Sequence, residues 1–317
     1  MKPIAVAYSG GADSTALLVE LARRFAGAPA AAPTGPFAFH VHHGLQPAAD
    51  RFVRHGEDFC RALAPLAPVR FVFEHLHIEL PPGASVEAQA REARYAALAA
   101  MAKEHGVATV LLAQHADDQV ETMLIALSRG AGIAGLSGMA PSFERDGVRF
   151  ERPLLDVPGP AIRAWLAECG IPFVDDPSNN DERFTRNRVR KRVLPVLERA
   201  LPAFRATFAR SARLVRQAQE LIAEVGADDL RHTGDPPAIA ALQRMSRARQ
   251  ANVLRHWLRQ GHETTPTEAQ LVELLDVVAA CVTRGHGVDL RVGRGFVRRE
   301  GDRLRFDAES EDPRRPP

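Results

Sequence analysis

Cysteine is scarce in this 317-residue chain: Cys60, Cys169 and Cys281 stand far apart, odd in number and without a C-x-x-C pair. That pattern argues against a disulfide framework, a cysteine zinc site and an iron–sulfur cluster, and it points to a reducing compartment. No run of about 18 uninterrupted apolar residues occurs, and the first residues lead straight into a strand pattern without a charged-then-apolar leader. The expectation is a cytoplasmic protein with no membrane partner. Lysine is almost absent, with Lys2, Lys103 and Lys191 the only three among 41 basic residues. The 39 acidic residues leave a formal net charge of +2, so any nucleic-acid contact must be a local patch. A GC-rich genome gives such an arginine bias by itself, so arginine abundance alone does not argue for RNA. What remains is ordinary globular material, 45% hydrophobic and 25% charged, long enough for more than one domain.

The first two-thirds alternate short apolar runs with helical patterns. Strands are predicted at Ile4–Tyr8, Phe37–Val41, Val69–Phe73 and Val107–Ala113, with a fifth at Ile171–Val174. Helices are predicted at 14–25, 50–63, 86–104 with Ser85 as N-cap, 117–128 and 161–169. This alternation implies an α/β domain with a doubly wound, mostly parallel sheet, whose ligands bind beyond the carboxyl ends of the strands. From about Pro195 helical patterns dominate, with a break at Gly234-Asp235-Pro236-Pro237 and helices near 238–260 and 267–282. An antiparallel pair, 287–292 and 296–306, follows. The expected organisation is a catalytic domain over 1–195, a helical linker over 196–235, a smaller, mainly helical α+β domain over 236–307, and a charged, proline-rich disordered tail over 308–317.

The string Ser9-Gly10-Gly11-Ala12-Asp13-Ser14 follows the first strand and opens the first helix. Glycines let an anion approach the main chain, and the free N–H groups of the helix start face it. Ser9 and Ser14 add hydroxyls, and Asp13 is placed to hold Mg²⁺ against phosphate oxygens. No Gly-Lys-Ser/Thr follows, so this is not the P-loop of nucleoside triphosphatases. An ordinary strand–turn–helix corner is the plainer alternative, and the full string favours phosphate.

Three further segments fall at carboxyl ends of predicted strands or at the domain junction. In Gln114-His115-Ala116-Asp117-Asp118-Gln119-Val120-Glu121-Thr122, Asp117 and Glu121 share a helix face while Asp118 points about 100° away. Three clustered acids need a cation between them, either Mg²⁺ or a substrate amine, unless they merely complement the helix dipole. His40, His42 and His43 end the second strand, where capping a base or orienting a neighbour fits better than a metal pair. Glu87-x₃-Arg91-x₂-Arg94-Tyr95 reads by spacing as a solvated helix pair. Asp175-Asp176-Pro177-Ser178-Asn179 is turn chemistry, and Arg186-Asn187-Arg188-Val189-Arg190-Lys191-Arg192 puts five positive charges in seven residues, enough to meet several phosphates.

Taken together, Ser9–Ser14, His40-Val41-His42-His43-Gly44-Leu45, Glu87-x₃-Arg91-x₂-Arg94-Tyr95 and His115-x-Asp117-Asp118-x₂-Glu121-Thr122 resemble the PP-loop ATP pyrophosphatases, and within them the tRNA(Ile)-lysidine synthetases. Residues 129–139, Arg152-Pro153-Leu154-Leu155 and 176–190 continue the match, which covers roughly 1–195; residues 241–306 resemble that family's first substrate-recognition domain more weakly. The resemblance implies an adenine nucleotide alpha hydrolase-like fold and a ligase. ATP adenylates the C2 oxygen of the wobble cytidine in CAU-anticodon tRNA(Ile), and L-lysine then displaces AMP to give lysidine. It implies ATP binding by Ser9, Gly10, Gly11, Ala12, Asp13, Ser14 and His40, with Mg²⁺ on Asp13. It implies catalysis by Asp13, Arg91, His115, Asp117 and Asp118, and lysine binding by Asp117 and Glu121. It implies tRNA binding by Arg94, Arg186, Asn187, Arg188, Arg190, Lys191 and Arg192, and a homodimer through the catalytic domain as in some members. The sequence departs from the family at His42, where asparagine is expected, and at Gln114, where histidine is expected. The rivals are a tRNA 2-thiolase, which needs paired cysteines, and an ammonia-using ATP pyrophosphatase, which would lack the arginine-rich junction.

Overall fold

The computed structural model describes residues 3–26, 35–42, 49–76, 86–175, 181–283 and 286–308. The chain divides into two compact units, Met1–Arg216 and Gln217–Pro317. The first opens with β1 (Ile4–Ala7), α1 (Ala12–Ala26), β2 (Phe37–His42), α2 (Ala49–Ala62), β3 (Arg70–His75), α3 (Val86–Glu104), β4 (Thr109–Leu111) and α4 (Ala116–Ser128). It continues with α5 (Ile133–Leu136), β5 (Ser142–Arg145), β6 (Val148–Glu151), α6 (Gly159–Glu168), α7 (Thr185–Arg188) and α8 (Leu194–Ala200). A π-helical turn, Val189–Val193, joins α7 to α8.

The six strands are ordered β3-β2-β1-β4-β6-β5, parallel throughout except for β5, which pairs antiparallel with β6 at the edge. The chain winds outward from β1 to β2 and β3, then returns to place β4 on the other side of β1. The order therefore reverses between β1 and β4, and the crevice opens beyond their carboxyl ends. Successive strand residues face opposite layers. Ala5, Phe37 and Phe39 pack with Tyr95, Leu98 and Met101 of α3, while Val6 and Ala38 pack with Leu17, Leu18 and Leu21 of α1. Burial on both faces explains why these strands are apolar runs without alternation.

One predicted strand is corrected. Residues 171–175 form no strand; the place beside β4 is taken by the β5–β6 hairpin, whose β6 pairs Thr109–Leu111 with Arg149–Glu151. The 171–175 segment instead lies over the glycine loop, with the Val174 N–H donating to the Gly10 carbonyl at 2.9 Å. A four-residue apolar run satisfies either environment, and periodicity does not separate them.

The unit boundary falls within α9 (Phe204–Thr233), inside the segment expected as a linker. The second unit holds the rest of α9 with α10 (Ile239–Gln243), α11 (Arg247–His262) and α12 (Glu268–Ala280), then β7 (Asp289–Val292), β8 (Gly295–Glu300) and β9 (Arg303–Ala308). The helix predicted over 238–260 is interrupted at 244–246, where Ser246 caps α11 by accepting from the Arg249 N–H. The predicted strand pair is a three-stranded antiparallel meander, because a second turn at Gly301 splits its longer member. Trp257, Leu254, Leu258, Leu274 and Leu304 are buried in its core. Ser85, His43, Asp176–Asn179 and the tail beyond Ala308 lie outside the described residues. No helix among the described residues is long and apolar enough to cross a membrane.

Candidate active site

The Ser9–Ser14 loop caps the carboxyl end of β1. Gly10 has φ +83°, the left-handed region that glycine enters without a Cβ penalty. The loop is closed on itself: the Ser9 N–H donates to Ser14 Oγ at 3.2 Å, the two hydroxyls lie 3.1 Å apart, and Thr15 Oγ1 donates to the Gly10 carbonyl at 3.3 Å. These bonds hold the start of α1 aimed at the crevice, as an anion site requires.

His40 sits one strand away and is buried. Its Nδ1 donates to the Tyr8 carbonyl at 2.9 Å, and its ring stacks on Phe71. Burial holds its pKa below the usual histidine value, so it braces the residue before the loop as a neutral ring. His42 packs against the His75 ring at 4.4 Å. Among the described residues no group of three or more His, Cys, Asp or Glu has a metal-holding arrangement.

The start of α4 meets the loop through His115. This residue is the N-cap: its Nδ1 accepts from the Asp117 N–H at 3.2 Å, and Asp118 Oδ2 accepts from the His115 N–H at 3.0 Å, completing a capping box. The other ring nitrogen, Nε2, lies 3.5 Å from Asp13 Oδ2 and 3.6 Å from Asp118 Oδ2. Burial opposes a charge on His115, but Asp13, Asp118 and Asp117 outweigh it and raise its pKa above the ordinary value. Burial likewise opposes ionisation of Asp13, yet His115, Arg163 and Arg190 hold its carboxyl below the usual carboxylate range. Asp13 Oδ1 is buried without a hydrogen-bond partner.

The cations that relieve the α4 acids are arginines. Arg190 grips Glu121 through Nε–Oε1 at 2.6 Å and Nη2–Oε2 at 3.1 Å, and reaches Asp118 Oδ1 at 2.9 Å. Arg186 adds Nε–Oε2 of Glu121 at 3.5 Å and donates to Thr122 Oγ1 at 3.0 Å. Burial raises the Glu121 pKa, and the fork-like contact with Arg190 pulls against it. Asp117 faces elsewhere: its Oδ2 accepts from the Gly159 N–H and its Oδ1 from Arg205 Nε, both at 2.7 Å. A Cβ on Gly159 would stand 3.0 Å from that carboxylate and from the His115 ring, so any larger residue there would press on both.

Two expectations are therefore corrected. Asp117 and Glu121 do not converge on one cation; Asp118 and Glu121 do, because Arg190 approaches from the α7–α8 side while α6 and Arg205 claim Asp117. The arginine run does not face outward as a unit either. Arg186 and Arg190 turn in to the acids, whereas Arg188 binds the carbonyls of Glu182 and Arg183, Arg192 pairs with Glu182, and Asn187 donates to the Asp181 carbonyl. Lys191 is exposed on the same turn. Arg91 is exposed and Arg94 half-buried, and both guanidiniums lie over the Tyr95 ring at 5.8 and 5.9 Å.

Sequence reasoning missed Gly159, Arg205 and Arg152. Arg205 stands 88 positions from Asp117, and no spacing rule links them. Arg152 was quoted only as part of a motif; its Nε donates to Gln114 Oε1 at 3.0 Å, which gives the unexpected glutamine a partner.

The sheet order and the Ser-Gly-Gly-x-Asp-Ser loop at its switch point define a PP-loop nucleotide-binding α/β domain. The PP-loop domain family matches residues 1–197, and the TilS substrate binding domain family matches residues 238–305. The chain is 56% identical over 303 residues to the tRNA(Ile)-lysidine synthase of Polaromonas naphthalenivorans, covering 95% of this chain and 88% of that protein. It is 42% identical to that of Bordetella pertussis over 96% of this chain and 95% of the relative. Against the synthase of Escherichia coli O157:H7 it is 39% identical, over 96% of this chain and 68% of the relative. The chain belongs to the tRNA(Ile)-lysidine synthase family. A solved U34-tRNA thiolase, NcsA of Methanococcus maripaludis with its [4Fe-4S] cluster, shares the fold alone, with TM-score 0.56 and 16% identity over 68% of this chain and 73% of that one.

Proposed function

We propose that the protein makes lysidine in CAU-anticodon tRNA(Ile), and that the observation carrying this reading is the His115 bridge between Asp13 of the phosphate loop and Asp118 of the acid cluster. It joins the place that grips pyrophosphate to the place that receives an amine. In the first step the C2 oxygen of the wobble cytidine attacks the α-phosphorus of ATP, and pyrophosphate leaves against the N–H groups of Gly10–Ser14. In the second step the lysine ammonium gives one proton to a carboxylate of the α4 cluster, the resulting neutral ε-amine attacks C2, the C2–O bond breaks, AMP departs with the oxygen, and the nitrogen passes its second proton to water.

The residues fit a Mg²⁺ carried with ATP. Asp13 Oδ1 is buried and unpartnered, and Mg²⁺ commonly takes one or two carboxylates together with phosphate oxygens and water. When bound, the ion offsets charge on the leaving pyrophosphate. His115, with Nε2 facing Asp13 and Asp118 and its pKa raised by them, holds a proton beside both steps. The lysine cation takes the place of Arg190 against Asp118 and Glu121. Arg188, Lys191 and Arg192, exposed at and beside the π-helical turn, meet the tRNA with Arg91 and Arg94.

Sulfur transfer, the rival chemistry on this fold, finds little support in the three cysteines. Cys60 and Cys281 are buried in separate units, and burial pushes the Cys60 thiol up to about 12, far from a reactive thiolate. The test is incubation with ATP, Mg²⁺, labelled lysine and CAU-anticodon tRNA(Ile) and tRNA(Met) transcripts. Label in tRNA(Ile) with stoichiometric AMP is expected; no label in either tRNA sinks the reading.

A further inference from the structure

Arg152 follows β6 and is 6% exposed. Its guanidinium touches only neutral groups: Gln114 Oε1, the Ala140 carbonyl at 2.6 Å, the Tyr95 hydroxyl at 3.5 Å and the face of Phe143 at 4.6 Å. No carboxylate among the described residues pairs with it. Buried charges normally have a counter-charge, and this one has none among the described residues. Its surroundings deepen the imbalance. Burial and the nearby Arg91 and Arg216 push the Arg152 pKa below the usual arginine range, and burial with Arg91 and Arg186 does the same to Arg94. Of the arginines around Tyr95, Arg145 has acids of its own, Glu92 and Asp146. Arg94 and Arg152 have none among the described residues, and Arg91 shares Glu92 with Arg145.

We propose that Arg152 is a positioning residue for the RNA substrate, locking Tyr95 from behind and supplying buried charge that holds a substrate phosphate at Arg91 and Arg94. This rests on the RNA-modifying reading above. The phosphate belongs to RNA rather than to ATP, because the nucleotide phosphates already have the Ser9–Ser14 cradle and Arg91 is open to a large ligand. Arg152 ties Tyr95 of α3 to Gln114 beyond β4 and to the Ala140 carbonyl, so the arginine-bearing face of α3 is fixed relative to the crevice.

The test compares wild type, Arg152→Gln, Arg152→Lys and Tyr95→Phe in lysidine formation with saturating lysine, varying tRNA(Ile), ATP and KCl. Arg152→Gln is expected to raise the KM for tRNA about tenfold with the KM for ATP unchanged. It should also flatten the dependence of log KM on log salt, by up to about 0.7. Arg152→Lys should restore the salt dependence but only part of the affinity, since an ammonium keeps the charge without the fork. Tyr95→Phe should raise the tRNA KM more modestly and leave the salt dependence intact, which covers the case in which Arg152→Gln fails to fold. Unchanged tRNA KM in Arg152→Gln, or in Tyr95→Phe where the first variant is unfolded, overturns the proposal. A raised ATP KM instead assigns the charge to the nucleotide and overturns it too. If wild type forms no lysidine, the functional reading has failed, whereas a tRNA-binding difference between the variants still reports on Arg152.

Discussion

The start of α4 and the neighbourhood of Tyr95 both gather arginines, yet only the first brings acids to meet them. At α4, Asp117, Asp118 and Glu121 are matched by Arg205, Arg190 and Arg186 in short, directed contacts. Around Tyr95, Arg91, Arg94 and Arg152 converge on one ring and one hydroxyl, and among the described residues no carboxylate pairs with Arg94 or Arg152. The first region is electrically closed, and a cationic substrate enters it only by exchange. The second is left open, which is why a substrate phosphate is proposed for it. One residue type does opposite work according to whether the fold supplies its counter-charge.

The largest expected effect tests the link between the phosphate loop and the closed region. Asp13→Asn removes the carboxylate facing His115 and should lower pyrophosphate release by about 10²–10³-fold, the scale seen when one preorganised electrostatic contact is lost. Retention of full release would separate the loop from the acids.

Arg190→Met comes next, because it strands Glu121, which is fully buried. Denaturant unfolding should show a loss of about 3 kcal/mol, the low end for breaking a buried pair, since Arg190 is partly exposed. Added L-lysine should recover part of that loss and L-norleucine none; equal responses would mean that the acids do not receive an amine. Arg152→Met leaves no carboxylate behind and should cost less than Arg190→Met in the same measurement, which is the direct contrast between the regions.

Charge reversal at Arg188 together with Lys191 should weaken tRNA binding about tenfold with unchanged ATP affinity, read by filter binding at fixed salt. The same tRNA affinity in the variant would remove the junction from the RNA surface.

The smallest effect is in pH dependence. The folded pKa of His115 lies above its ordinary 6.5, so the protonated network adds stability that is fully present below 6.5 and is lost as pH rises through the folded value. His115→Gln should flatten that decline in thermal melts between neutral and alkaline pH. An unchanged slope would assign the titration to another group.

Much of this was legible in residues close together in the chain. The Ser9–Ser14 loop, the strand–helix alternation and the switch point follow from local patterns that three-dimensional context reinforces. The fifth strand was misplaced because Ile171–Val174 is apolar for a different reason: it covers the glycine loop. In the hairpin that fills its place, β6 does alternate, Val148 and Phe150 buried and Arg149 exposed, but over four residues only, and β5 at the edge has mixed burial without a period. Arg186 and Arg190 read as one cationic face with Arg188 and Lys191, yet the π-helical turn at Val189–Val193 and the pull of Glu121 split that run into an inward and an outward set.

By itself the sequence determined which groups the chain carries: a glycine loop that opens a helix, acids in the first turn of another, and a run of arginines at 186–192. These are local properties, set by residue type and spacing along one element. Only the tertiary structure decided how the charges pair, because pairing depends on elements dozens of residues apart. It sent Arg205 and Gly159 to Asp117, gave Arg190 to Asp118 and Glu121, and left Arg152 buried beside Tyr95 with no acid among the described residues. The physical reason is the short range of these contacts. A guanidinium three ångströms from a carboxylate is a closed pair, and the same group against a tyrosine hydroxyl is a charge awaiting its ligand.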